Sequence, residues 1–284
     1  MSFSSKIKEE FNKNISNNKE FLKYEVFGYI LSGNTKYADE YFIFTTENEY
    51  NIERFYKILY RLGINYEPNK EGKNYEAIIN KDEELDEILN LQEFEKEDFA
   101  KSILRGSFLG AGSITNPENK YHLEINFNDE KKLNIIKNIC DRFTLKIKLL
   151  EKKNKYILYI KEGEEISNFL AFIGANNAVL KFEEIRVVRE MKNDINRKVN
   201  CETANLNKTI NAAISIIEDI NLIKKKKKFE ELDFDIKELA NLRINNPEIS
   251  LKELGNLLTN KIGKSGVKYR LDKIHKIAEE LKGE

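Results

Sequence analysis

Tryptophan is absent from this 284-residue chain, and proline appears three times, cysteine twice and histidine twice. So few prolines point away from a sandwich of short strands with proline-marked turns and toward long uninterrupted helices. Cys140 and Cys201 cannot form a disulfide framework. A zinc site made of Cys140, Cys201, His122 and His275 would use every such residue without any ligand spacing, so no metal or other cofactor is expected. Long apolar runs are missing too. The least polar stretch, Phe169 to Leu180, contains two asparagines and falls short of the about 20 residues a membrane span requires. The opening MSFSSKIKEEFNKN lacks the apolar core of an export signal, which predicts a cytoplasmic protein without a membrane partner. Net charge is missing as well, because Lys+Arg 48 cancels Asp+Glu 48. A partner attracted by charge must therefore find a local patch.

What is present is 40% hydrophobic and 34% charged residues, against a norm of about 25% charged. The surface is heavily ionised, yet enough apolar mass remains for real cores, which excludes disorder as the main state. The length suggests about two domains, and the same order of elements occurs twice. In the first copy a helix at Lys23 to Gly33 precedes a strand at Tyr41 to Thr46, a helix at Asn51 to Gly63 and a short strand YEAIIN. In the second, a helix at Phe99 to Gly112 and a turn at Asn116-Pro117 lead to a strand at His122 to Asn128. A helix at Glu130 to Phe143 follows, then LKIKLLE and KYILYIK around a Lys153-Asn154 turn. The acidic stretch Glu93 to Phe99 reads as a solvated connection between the copies. Two helices, Val179 to Asn200 and Glu202 to Ile223, come next, with Asn200 or Thr203 as a cap for the second. The run Lys224 to Lys228 repels itself and reads as a linker, either a tether or an extra phosphate contact.

The tail carries the clearest mechanistic signal. Ser250 and Glu253 form a capping box, a glycine-containing turn follows, and Ser265 is placed to cap a second helix. Val267, Leu271, Ile274, Ile277, Ala278 and Leu281 make its buried stripe. Lys264, Ser265, Lys268, Tyr269 and Asp272 then fall on the other face, as in the reading helix of a helix-turn-helix. Between Lys261 and Lys276 six basic residues (Lys261, Lys264, Lys268, Arg270, Lys273, Lys276) face one acid, Asp272. Residues 181 to 284 hold 22 basic and 18 acidic side chains, so the overall neutrality hides a basic tail. Spacing favours DNA binding over a basic helix that only solvates a small domain.

Gly106 and Gly110 lie four apart on one helical face, and Gly28 and Ser32 repeat that spacing, which permits a tight helix pair. The segments LRGSFLGAG (Leu104 to Gly112) and VFGYILSGN (Val26 to Asn34) resemble degenerate copies of the LAGLIDADG motif of homing endonucleases. That resemblance implies two paired helices above saddle-shaped sheets. The motif's metal-binding acids align with Ala111 and Gly33, which cannot hold a cation. The opening MSFSSKIKEE, LRGSFLGAGS with YHLEINF, NRKVNCETANLNKT (Asn196 to Thr209) and KSGVKYRLDKI together resemble the bacterial WhiA (DUF199) family over essentially the whole chain.

The resemblance implies an α+β fold. Duplicated LAGLIDADG-type α-β-α-β units form a pseudo-symmetric N-terminal domain, and an all-α helix-turn-helix domain follows. The expected segments are 1–22 (helical), 23–98 and 99–180 (the two repeats), 181–228 (helical connector and basic linker) and 229–284 (helix-turn-helix). It further implies a non-enzymatic, nucleoid-associated, DNA-binding transcriptional regulator of cell division and chromosome segregation, and of sporulation in some lineages. Double-stranded DNA is the expected partner, through Lys261, Lys264, Ser265, Lys268, Tyr269, Arg270 and Lys273. Other transcription or division proteins are further candidate partners, and no small-molecule substrate is expected. The rival readings are an active metal-dependent endonuclease and a repeat domain that binds protein while only the tail binds DNA.

Overall fold

The computed structural model describes residues 2–38, 40–152 and 155–282. Two compact units divide between Glu190 and Met191.

The first unit begins with α1 (Phe3–Lys13), and α2 (Lys19–Ser32) starts four residues earlier than its apolar spacing suggests. Then come β1 (Asn34–Tyr37), β2 (Tyr41–Thr46), α3 (Glu49–Leu62), β3 (Tyr66–Glu71), β4 (Asn74–Asn80) and α4 (Glu83–Leu89). The second copy repeats this order with α5 (Glu97–Ala111), β5 (Gly112–Ile114), β6 (Leu123–Phe127), α6 (Glu130–Arg142), β7 (Lys148–Lys152), β8 (Lys155–Ile160) and α7 (Gly163–Phe172). Each copy is therefore α-β-β-α-β-β-α, not the α-β-α-β read from sequence. The strands β1, β3 and β5 carry too little apolar alternation to announce themselves: β3, YEPNKE, buries none of its residues. The expected Lys153-Asn154 turn lies outside the described residues.

Both sheets are antiparallel and four-stranded, in the orders β1-β2-β4-β3 and β5-β6-β8-β7. Alternation sets which face is covered. Phe42, Phe44, Ala77 and Ile79 point into the core from the first sheet, and Leu123, Ile125, Phe127, Leu158 and Ile160 do so from the second. The helices α3 and α6 lie on the sheets with their amphipathic stripes inward, Phe55, Ile58 and Leu59 on one and Leu133, Ile136 and Ile139 on the other.

Between the two copies run α2 and α5, buried along most of their length. A Cβ on Gly28 would stand 2.1 Å from the Ile103 carbonyl oxygen, and one on Gly106 would stand 2.0 Å from that of Glu25. The two backbones touch at these glycines. Ser32 donates to the Ser107 carbonyl at 2.7 Å, and Ser107 donates back to the Gly28 carbonyl at 3.2 Å. Beside this contact Glu25 and Arg54 form a fully buried pair, Nε to Oε1 at 2.6 Å and Nη2 to Oε2 at 2.9 Å. Buried Cys140 has its thiol pushed up to about 12 by desolvation, whereas Cys201 is exposed.

After α7, α8 runs unbroken from Asn176 to Lys225, and the unit boundary falls within it. The sequence reading divided this stretch at Asn200 to Thr203. No glycine or proline lies between Gly174 and Pro247, so nothing stops the helix there, and those residues sit mid-helix instead of capping. The lysine run is not an interdomain linker either. Lys227 adopts a left-handed conformation (φ 58°) and the Lys228 N–H bonds to the Ile223 carbonyl at 3.1 Å, closing the end of α8. Lysines there also suit the negative end of the helix dipole.

The second unit comprises α8 from Met191 on, a single 3-10 turn at Phe229–Glu231, α9 (Phe234–Asn245), α10 (Leu251–Leu257) and α11 (Lys264–Lys282). Its core joins Ile220 and Ile223 of α8 to Leu239, Leu254, Val267 and Ile274. Those two isoleucines precede residue 228, so the expected boundary there cuts through a core. Among the described residues no helix is long and apolar enough to cross a membrane.

Candidate nucleic-acid interface

The helix-turn-helix is built from its caps inward. Ser250 accepts from the Glu253 N–H at 3.3 Å, and Glu253 accepts from the Ser250 N–H at 2.9 Å, which completes the capping box at the start of α10. Hydrogen bonds from the Ser250 side chain and backbone lower the Glu253 carboxyl below its ordinary pKa. Gly255 leaves room for the turn: a Cβ there would stand 2.2 Å from the Ile262 carbonyl oxygen. The chain thus turns tightly enough to bring α11 against α10.

The first backbone bond of α11 runs from the Val267 N–H to the Gly263 carbonyl. Gly263 therefore holds the cap position, and Ser265, expected as the cap, lies one residue inside the helix with its side chain exposed. Val267, Leu271, Ile274, Ala278 and Leu281 are buried as expected, and Ile277 is half-buried. Opposite that stripe stand Ser265, Tyr269, Asp272 and Lys276, all exposed, Tyr269 by 68%. Lys276 counted toward the basic excess but was not among the expected contacts.

The remaining expected residues divide between the flanks of α11. Lys264 and Lys268 are exposed on the side facing α8, and Lys261 is exposed in the turn. Arg270 and Lys273 lie toward the start of α9. Arg270 bonds Asp235 at 2.7 Å with its side chain 19% exposed, and Lys273 reaches Asp233 at 3.5 Å. Arg270 is thus an anchor between helices and not a free contact. The reason is helical spacing: it stands three residues after Val267 and four before Ile274, at the edge of the buried stripe.

His275 proves to be a clamp. Its Nδ1 lies 2.6 Å from a carboxylate oxygen of buried Asp219 on α8, whose other oxygen accepts from Lys282 at 3.3 Å. Asp219, His275 and Glu279 bring ligand-type atoms within 4.8 Å of one another, the one such group among the described residues. Lys282 bonds two of these three, Asp219 and Glu279. The four cysteines and histidines form no such group among the described residues.

A groove of about 390 Å³ separates α8 from α11. Lys208 and Thr209 line one side and Lys264 and Lys268 the other, with Arg243 between. Sequence reading missed Lys208 on α8 and Arg243 on α9, since only the packing of these helices with α11 brings the two together. In the first unit, the ends of the paired helices carry Gly33 as the cap of α2 and Ala111 as the last residue of α5.

A LAGLIDADG-type helix pair over two four-stranded sheets, followed by a helix-turn-helix, defines the class: a LAGLIDADG-like fold joined to a helix-turn-helix domain. Within that class, residues 100–192 match the WhiA LAGLIDADG-like domain and residues 195–278 match the WhiA C-terminal HTH domain. The chain is 37% identical to the "Probable cell division protein WhiA" of Clostridium beijerinckii, with 99% of each chain covered. The full-length DUF199/WhiA crystal structure from Thermatoga maritima superposes with a TM-score of 0.65 at 30% identity, over 99% of both chains. The N-terminal LAGLIDADG domain of DUF199/WhiA matches at a TM-score of 0.56 and 28% identity, covering 61% of this chain and 92% of that one. The chain belongs to the WhiA family.

Proposed function

We propose that this chain is a non-enzymatic regulator that binds double-stranded DNA through α10 and α11. The observation that carries the reading is the exposed first half of α11. Ser265, Tyr269 and Asp272 point outward there, and Lys264 and Lys268, without an ion pair or hydrogen bond among the described residues, flank them. A helix so presented enters the major groove with its outward residues at base edges. Its flanking lysines then meet phosphates, and Lys261 in the turn meets another. Each neutralised phosphate releases counterions, so affinity falls steeply with salt. The charge distribution agrees, because residues 1 to 180 carry 26 basic and 30 acidic side chains while the tail is basic.

Lys264→Ala with Lys268→Ala is expected to lower duplex affinity about tenfold or more and reduce the slope of log K against log salt by about 2. Arg270→Ala is expected to loosen the tail without moving that slope, because its charge is spent on Asp235. Fluorescence anisotropy over a salt series measures both, and an unaltered slope in the lysine variant rejects the interface.

The first unit serves as a scaffold. Two-metal phosphodiester chemistry requires carboxylates at the cation positions, and Gly33 and Ala111 offer none. Supercoiled plasmid should stay intact with the pure protein and magnesium; nicking that is lost on substitution near Ala111 would restore the endonuclease reading. The role in division is carried over from relatives named as probable cell division proteins. Regulation of transcription, chromosome segregation and, in some lineages, sporulation belong to the same reading, as do a place at the nucleoid and partners among transcription or division proteins. Mapping of bound chromosomal sites would test them.

A further inference from the structure

The groove between α8 and α11 holds charge that the protein itself does not neutralise. Arg243, 2% exposed, is the deepest of its cations. Its Nη1 donates to the carbonyls of Asn246, Pro247 and Ile249, at 3.2, 3.4 and 3.0 Å, and its Nε has no partner. Carbonyls satisfy donors but cancel no charge, and no carboxylate comes within ion-pair distance of Arg243 among the described residues. Burial lowers the Arg243 pKa, and the more distant Glu248 carboxylate offsets this only in part. A buried guanidinium in this state favours any anion that can approach it.

Three lysines stand at the mouth of the same groove. Lys208, Lys264 and Lys268 form no ion pair or hydrogen bond among the described residues, and the acid lining the groove is Asp272. The hydroxyl of Ser250 is committed to the capping box with Glu253, so the attraction for an anion comes from Arg243 and the lysines. Thr209 donates to Asn205 and keeps its lone pairs. Leu251, Leu271, Ala213 and Ile216 supply apolar surface. Several cations and an apolar wall in one concavity are what a small anionic ligand site requires.

We propose that this groove binds a phosphate group. A phosphate carries up to two charges and several acceptor oxygens, which suits several lysines converging near a fixed guanidinium better than a single carboxylate would. The group has two possible sources: the DNA backbone, or a free phosphate monoester with an apolar body. Lys264 and Lys268 belong to both the groove and the exposed face of α11. A free ligand would therefore weaken DNA binding by the factor by which DNA weakens the ligand. That coupling rests on the DNA-binding reading, whereas the anion site does not.

The experiment uses the full chain with Lys208→Ala and Ala212→Glu, both at exposed positions of α8, and with Lys192→Ala as a control at an exposed position of α8 outside the groove. Calorimetry at constant ionic strength measures phenyl phosphate, inorganic phosphate and phenol, and anisotropy measures a duplex. Phenyl phosphate should bind and phenol should not, with affinity falling about tenfold in Ala212→Glu and unaffected by Lys192→Ala. If no small phosphate binds but Lys208→Ala and Ala212→Glu weaken the duplex, the site is a seat for the DNA backbone and the proposal holds in that form. Wild-type behaviour of both variants toward every ligand would overturn it. Should phenyl phosphate bind a chain that has no affinity for DNA, the groove stands and the DNA reading falls.

Discussion

Arg54→Ala is expected to destabilise the first unit by about 3–5 kcal/mol. The guanidinium is fully buried and grips both oxygens of Glu25, itself 1% exposed. The same side chain donates through Nη1 to the carbonyls of Phe11 and Asn14, tying the end of α1 to α3. Truncation would strand a carboxylate in the core with Arg105, at 3.5 Å, as its remaining ion pair among the described residues, and leave two carbonyls without this donor. Against a domain stability of about 5–15 kcal/mol this is a large fraction. The melting temperature should fall by about 10 °C or more. Replacing both partners, Glu25→Leu with Arg54→Met, should recover much of the loss, because no charge is then left buried alone. Denaturant melts of the two variants decide the matter; an Arg54→Ala variant within about 0.5 kcal/mol of the parent would mean the pair is not holding the core.

Gly106→Ala should cost at least about 3 kcal/mol despite being helix-favouring. In an isolated helix the change gains roughly 1 kcal/mol. Here the new methyl would meet the Glu25 carbonyl oxygen at 2.0 Å and the Tyr29 backbone nitrogen at 3.0 Å. Both are main-chain atoms, and no rotamer change can move them aside. The helices would have to separate, opening the core that both repeats share and losing the hydrogen bonds from Ser32 to the Ser107 carbonyl and from Ser107 to the Gly28 carbonyl. Calorimetric melting checks this. A neutral or stabilised variant would show that the helices part without penalty.

How much of this was legible depended on where each side chain's partners lie. The strand β2 was read at its observed limits because Phe42 and Phe44 alternate with outward residues, and α3 and α6 were read because one stripe of each is apolar. The outward-facing β3 gave no such pattern. The helix pair was visible in the spacing of Gly28, Ser32, Gly106 and Gly110, since close backbones demand small residues. By contrast, Asn200 and Thr203 look the same in a cap as on an exposed helix, so α8 was divided where it continues. The capping box of α10 is local and was found. The surroundings of Arg270 and Lys208 are set by residues distant in sequence: Asp235 lies 35 residues from Arg270, and Lys208 shares a groove with Lys264 only because α8 and α11 pack together. Arg270 could be placed only once α9 was seen beside α11.

The order of the two sheets leaves β1, β3, β5 and β7 with one side unpaired. An open strand is a template for another chain. In β3 the edge bears Pro68, which has no N–H to offer, along with Glu67, Lys70 and Glu71, and β7 begins and ends on lysine. The strand β5 has only three residues. In β3 and β5 the features that hid the strands from a reading of sequence, polarity in one and shortness in the other, are also what discourage intermolecular strand pairing.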